Sequence, residues 1–195
     1  MPITRFPMKL NHLAIQSFAT GLAVLISIFA AVFAWQQVEI SRTHNRLSVV
    51  PIVQITPYME GKNGRNGLYL SNDGLGPAII KGFSVKSGGV IADGFESDRW
   101  AEILATTSAN PACFGTGWPK GETALRAGVE VPLVYATKAE GAEVCLLETL
   151  KLVGGNAIEI SVDYESIYGE PKHLSANSKA KSKTIDSLYQ KLITK

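Results

Sequence analysis

The sequence predicts a β-rich, sandwich-like domain with one or two added helices, preceded by a single transmembrane helix. Three observations lead there. Residues 13–35 are one apolar block without Asp, Glu, Lys or Arg. Residues 157–165 alternate between apolar and polar side chains, the pattern of a strand with one buried and one wet face. From residue 51 onward, short runs rich in aromatic and β-branched residues are separated by Gly, Pro, Asn and Asp, which reads as strands and turns. Strands and helices do not alternate regularly, which disfavours a parallel α/β sheet. The expected organisation is a short tail (1–12), the transmembrane helix (13–35), a juxtamembrane helical stalk (36–50), the β-rich domain (51–176) and a Lys-rich tail or short helix (177–195).

The apolar block, LAIQSFATGLAVLISIFAAVFAW, exceeds the roughly 20 residues that span a hydrocarbon core. Gln16, Ser17, Thr20 and Ser27 are mild enough to be tolerated, and Trp35 ends the block where an amphipathic ring suits the headgroup region. A cleaved signal peptide competes, with Val32-Phe33-Ala34 as its cleavage site. Its apolar core needs only about 7–15 residues, so the longer run favours an uncleaved anchor. A buried soluble helix would keep one polar stripe, and this block has none. Ala19, Ala23, Ser27 and Ala31 fall four apart on one face, where small residues let two membrane helices approach and form a homodimer. The plain alternative is that alanine is common in such helices.

After the block, no helix breaker precedes Pro51, so the helix is expected to continue to about Leu47. Arg42 and Arg46 share a face of this stalk and are candidates for lipid headgroup contact, against the alternative of a solvated face. The stretches SRTHNRLSVVP and LYLSNDGLGPAII carry Arg42, His44, Asn45, Arg46, Leu47, Ser48, Val49 and Pro51, then Asn72, Gly74, Gly76, Pro77 and Ala78. This pattern resembles bacterial small single-pass membrane-anchored proteins of unassigned function, over about the first two-fifths of the chain. The resemblance implies a membrane-tethered β-domain and brings no catalytic residues. The turn motif alone also resembles hairpins of bacterial immunoglobulin-like modules. In a bacterium the helix would lie in the inner (cytoplasmic) membrane. Arg5 and Lys9 before the block balance Arg42 and Arg46 after it, and the free amino terminus tilts the expectation towards a periplasmic domain.

Residues 71–77, SNDGLGP, raise the question of a phosphate loop. Walker and dinucleotide loops open a helix at fixed glycine spacings. Here the spacing is Gly-x-Gly-Pro, and GLYL (67–70) and AIIKGFSV (78–85) flank it as strands. The segment therefore reads as a strand-to-strand connection in which Asn bonds its own backbone and Pro77 starts a strand. In 78–85, Ile79, Phe83 and Val85 share a face that Lys81 interrupts.

Further strands are expected at 51–58, 128–136, 157–165 and 172–176. In 128–136, Val129, Val131, Leu133 and Tyr135 share a face, and Pro132 argues for an edge strand. In 157–165, Ile158, Ile160, Val162 and Tyr164 point inward. Helices are expected at 95–107, with Ser97 near the start and Trp100, Ile103 and Leu104 on one face, and at 142–153, with Val144, Leu147 and Leu150 on one face and Gly154 and Gly155 at the end. The Gly- and Pro-rich loop 108–128 holds Phe114 and Trp118, the candidate contact surface; long loops in compact domains are usually functional or mobile. The alternative is a packed connection whose aromatics fill the core edge. The tail places Ile185, Leu188, Leu192 and Ile193 at helical spacing, suited to a partner, a membrane surface or a fraying last helix.

Net charge is +2, which implies no polyanion preference, and only Lys179, Lys181 and Lys183 come near a basic patch, so nucleic acid is not an expected partner. Cys113 and Cys145 fit no zinc or CxxC spacing; they pair in an oxidising compartment or stay as buried thiols. No metal or cofactor motif is present. His173 lies near Asp163 and Ser175 on neighbouring strands, but no nucleophile-elbow motif supports a Ser–His–Asp site, and a surface histidine is the simpler reading. The expected function is therefore a tethered protein-interaction module, not an enzyme, with lipid and an unknown protein as partners. The alternative is a membrane-bound effector or sensor that recognises a ligand through the 108–128 loop. A hydrolase using His173 is the remote third.

Overall fold

A computed structural model of the chain describes residues 12–62, 64–95, 99–137, 142–155, 158–179 and 181–193. The chain divides after Leu47 into two units. The first unit is helix α1, His12–Leu47, whose 36 residues rise about 54 Å at helical pitch. Its large side chains, among them Phe18, Phe29, Phe33 and Trp35, are exposed all round the helix. It is long and apolar enough to cross a membrane, and none of its most apolar stretch is covered by protein.

The second unit is a β-sandwich. One sheet holds β1 (Val53–Met59), β2 (Asn66–Asn72), β7 (Glu130–Ala136) and β5 (Phe114–Thr116) in that order. The other holds β4 (Val90–Asp93), β3 (Ala78–Ser87), β8 (Ile158–Glu165) and β9 (Pro171–Asn177), with β6 (Ala124–Leu125) added to β3. All pairings among the described residues are antiparallel. Both sheets contribute to one apolar cluster, centred on Leu68, Leu70, Ile80, Phe83, Leu133 and Ile160. The period of two in β8 is fully expressed: Ile158, Ile160, Val162 and Tyr164 are buried, while Glu159 and Asp163 are exposed.

Two bulges correct the expected faces. In β3 the register slips between Ile80 and Gly82, so Lys81 is an extra residue. Ile80, not Ile79, joins the core, and Phe83 and Val85 follow on the same side. The ammonium of Lys81 turns out to Glu165, 3.0 Å away. In β7 the slip lies opposite Leu68 and Tyr69; Leu133 and Val134 are both buried, and Val129 is exposed. Pro132 does not mark an edge strand. Its strand runs between β2 and β5, and the missing amide hydrogen is tolerated at the bulge, beyond the reach of the short β5.

Helix α2 (Trp100–Thr106) buries Trp100, Ile103 and Leu104 as expected; Ser97 lies outside the described residues. Helix α3 (Ala142–Gly154) differs from the expected stripe. Its buried residues include Cys145, Thr149, Leu150, Leu152 and Val153, whereas Leu147 is exposed; the side chain of Val144 lies outside the described residues. Cys113 and Cys145 form a disulfide with Cα atoms 5.2 Å apart, tying α3 to the start of β5. Helix α4 (Lys183–Ile193) sets Tyr189 against Gly154, where a Cβ would overlap the ring. Ile185 packs on the core while Leu188 is exposed; the side chains of Leu192 and Ile193 lie outside the described residues.

Candidate functional site

The site is built on the 71–77 connection, which joins β2 of one sheet to β3 of the other and so is not a hairpin. Asn72 is fully buried. Its Oδ1 accepts from the amides of Ile52 and Gly74, each at 3.1 Å. Its Nδ2 donates to the carbonyls of Gly76 at 2.8 Å and Leu125 at 2.9 Å. Its own backbone bonds Val129 and Gly128. The side chain thus uses both donors and both acceptor positions and ties together the first residues of the domain, the turn and the 125–129 segment. The amides of Asp73 and Leu75 add bonds to the carbonyls of Ile52 and Val50. The backbone runs so close that a Cβ on Gly76 would overlap the Val49 carbonyl, which is why this position suits glycine.

The 117–129 segment is stitched to both sheets. The Gly117 amide donates to the Leu133 carbonyl at 2.8 Å, the Glu122 amide to Ile80 at 3.0 Å, and the Ile80 amide to Thr123 at 3.1 Å. Glu122 holds a positive φ of 58° at this turn. Beneath the segment an apolar cavity of about 530 Å³ opens between the sheets, within the size range of small-molecule pockets. Leu70, Val131 and Leu133 line it from one sheet, Ile80 and Leu125 from the other, and Trp118, Lys120 and Arg126 from the segment itself. Lys120 and Arg126 are exposed and form no ion pair among the described residues. Among the described residues the lining contains no carboxylate.

The residues singled out from sequence fare differently. Phe114 is 8% exposed and belongs to the core, so it is no contact surface. β5 turns it inward beside the Cys113 bridge. Trp118 is half-buried and lines the cavity. Its Nε1 donates to the Gly94 carbonyl at 2.7 Å, and its ring meets Phe83 edge-on at 4.7 Å. Trp100 holds the neighbouring carbonyl of Gly117 at 2.9 Å. Ala19, Ala23, Ser27 and Ala31 lie exposed along α1, and the Ser27 hydroxyl donates to the Ala23 carbonyl at 2.8 Å within its own helix. Arg42 lies 4.0 Å from Glu39, and Arg46 is exposed in the last turn.

His173 and Asp163 sit opposite each other on β9 and β8, with Nδ1 2.7 Å from Oδ1. The third residue does not join them: the Ser175 hydroxyl donates to Glu159 at 3.2 Å. The pair is open to solvent, with about 60% of each side chain exposed. Elsewhere, Arg65 stacks 3.8 Å over Tyr58 and donates to Glu60 at 2.8 Å and Glu130 at 2.6 Å. These bonds raise the guanidinium pKa and hold the Glu60 carboxyl below its ordinary value, and burial pushes the Tyr69 phenol up. Among the described residues no group of His, Cys, Asp and Glu is arranged to hold a metal ion.

Sequence reasoning flagged the 108–128 loop but missed the cavity below it, because its walls come from strands far apart in the chain. The available signal was Lys120 and Arg126, which with Glu122 are the charged residues of the loop. Comparison with protein-family models, curated proteins and solved structures finds no match to this chain.

Proposed function

We propose that the chain is a single-pass protein of a bacterial inner membrane that holds its sandwich on the periplasmic side as a tethered binding module, with the inter-sheet cavity as the binding site. The cavity carries this reading: it is apolar, of ligand size, and walled by a segment that is hydrogen-bonded to both sheets. The bare apolar surface of α1 supports the tether, because such a surface is stable only when lipid covers it. The Cys113–Cys145 disulfide supports the periplasm, since such bonds persist in oxidising compartments.

With Phe114 in the core, recognition of a ligand through the 108–128 loop replaces a contact surface formed by Phe114 and Trp118. The ligand, free or presented by a protein partner, offers an apolar group. On this reading the chain binds and does not catalyse.

The test uses the full chain in lipid nanodiscs with an uncharged photoreactive alkyl diazirine alcohol. Adducts mapped by peptide mass spectrometry are expected on residues 117–133. They are expected to fall when Ala124, exposed and lining the cavity, is replaced by Trp. Adducts confined to α1 in both proteins would overturn the reading.

A further inference from the structure

We infer that the ligand of the inter-sheet cavity is a fatty carboxylate, an acyl chain ending in a single anionic head. This rests on the cavity being a binding site and adds the chemistry of its occupant. The walls supplied by Leu70, Ile80, Leu125 and Leu133 are apolar and suit a hydrocarbon chain. The polar side of the lining is of one sign. Lys120 and Arg126 contribute two cations to the same cavity, and among the described residues no carboxylate lines it.

Among the described residues, neither cation is held in an ion pair. Arg65, Lys81, Arg99 and Lys151 each lie against a glutamate, whereas Lys120 and Arg126 have no acidic partner within ion-pair distance among the described residues. The nearby Thr123 hydroxyl is already donated to the Lys120 carbonyl, so it leaves the two charges as the recognition groups. A guanidinium can grip a carboxylate through two parallel N–H bonds, and an ammonium adds a point charge. A cationic amphiphile would meet two like charges, and a neutral one would gain nothing from them. Pro132 in the lining has no amide hydrogen to donate at that point of the wall, which favours a chain held by apolar contact over an added peptide strand.

The experiment compares two photoreactive probes with the same diazirine-bearing alkyl chain, one ending in a carboxylate and one in an alcohol. Both are applied to the full chain in phosphatidylcholine nanodiscs, whose headgroups carry no net charge. In the wild type the carboxylate is expected to label residues 117–133 roughly five-fold more than the alcohol, the scale of two exposed charge contacts. In Lys120→Gln/Arg126→Gln the carboxylate is expected to label residues 117–133 no more strongly than the alcohol does. Equal labelling of 117–133 by both probes in the wild type would overturn the fatty carboxylate and leave the binding cavity standing. Labelling by neither probe at 117–133 would overturn both.

Discussion

The side-chain amide of Asn72 donates to the backbone carbonyl of Leu125, 53 positions away, at 2.9 Å. That bond, with the three others made by the same side chain, closes the wall of the cavity against the turn that joins the two sheets. Asn72→Ala leaves the amides of Ile52 and Gly74 and the carbonyls of Gly76 and Leu125 without this partner in a buried site. Unsatisfied buried groups cost about 1–3 kcal/mol, and water recovers part of that. The expected loss is about 3 kcal/mol, or roughly 10 °C in Tm, read by near-ultraviolet circular dichroism. Asn72→Asp keeps the acceptor for Ile52 and Gly74 but turns a second acceptor oxygen towards the carbonyls of Gly76 and Leu125 in a buried site, so it should cost at least as much as Asn72→Ala.

The disulfide closes a segment of 32 residues, for which chain entropy gives about 3–4 kcal/mol of stabilisation. Cys113→Ala/Cys145→Ala should lower Tm, and added reductant should then shift the double variant no further. A wild-type Tm that is unchanged by thorough reduction under unfolding conditions would argue that the two cysteines do not pair.

Stability should fall in acid through the Arg65 network. The hydrogen bonds from Arg65 lower the Glu60 pKa from its ordinary 4.5, and Arg99 lowers that of Glu102 in the same way. A depressed carboxyl pKa contributes stability that is complete above the unfolded value and drains away as pH falls through the folded one. Tm should therefore hold down to about pH 4.5 and decline below it. Arg65→Gln should flatten that decline, because Glu60 then titrates near its ordinary value in both states. The effect is modest, since the groups are at the surface.

Much of the fold is legible in the sequence because it is set locally. The apolar block of α1 and the alternation in β8 each depend on one segment, and glycine spacing together with the flanking strand patterns separated the 71–77 connection from a phosphate loop. What was not legible depends on partners distant in the chain. The bulges at Lys81 and Leu133 arise from the strands opposite them, and they moved Ile80 and Val134 into the core in place of the residues the simple alternation selects. The buried place of Phe114 follows from β5 pairing with β7. The disulfide needs two Cα atoms brought close from separate elements, and the cavity needs walls from both sheets.

Sidedness is the most direct measurement, because the proposed tethered module requires the domain to lie on the oxidising face of the membrane. Lys86 is exposed on β3 without an ion-pair partner among the described residues. Lys86→Cys adds one accessible thiol to a chain whose other two cysteines are bonded. Treated in intact cells with a small maleimide that does not cross the inner membrane, this variant should be labelled to the same extent as after lysis. Labelling that appears only after the inner membrane is broken would put the domain in the cytoplasm and contradict the proposed periplasmic module.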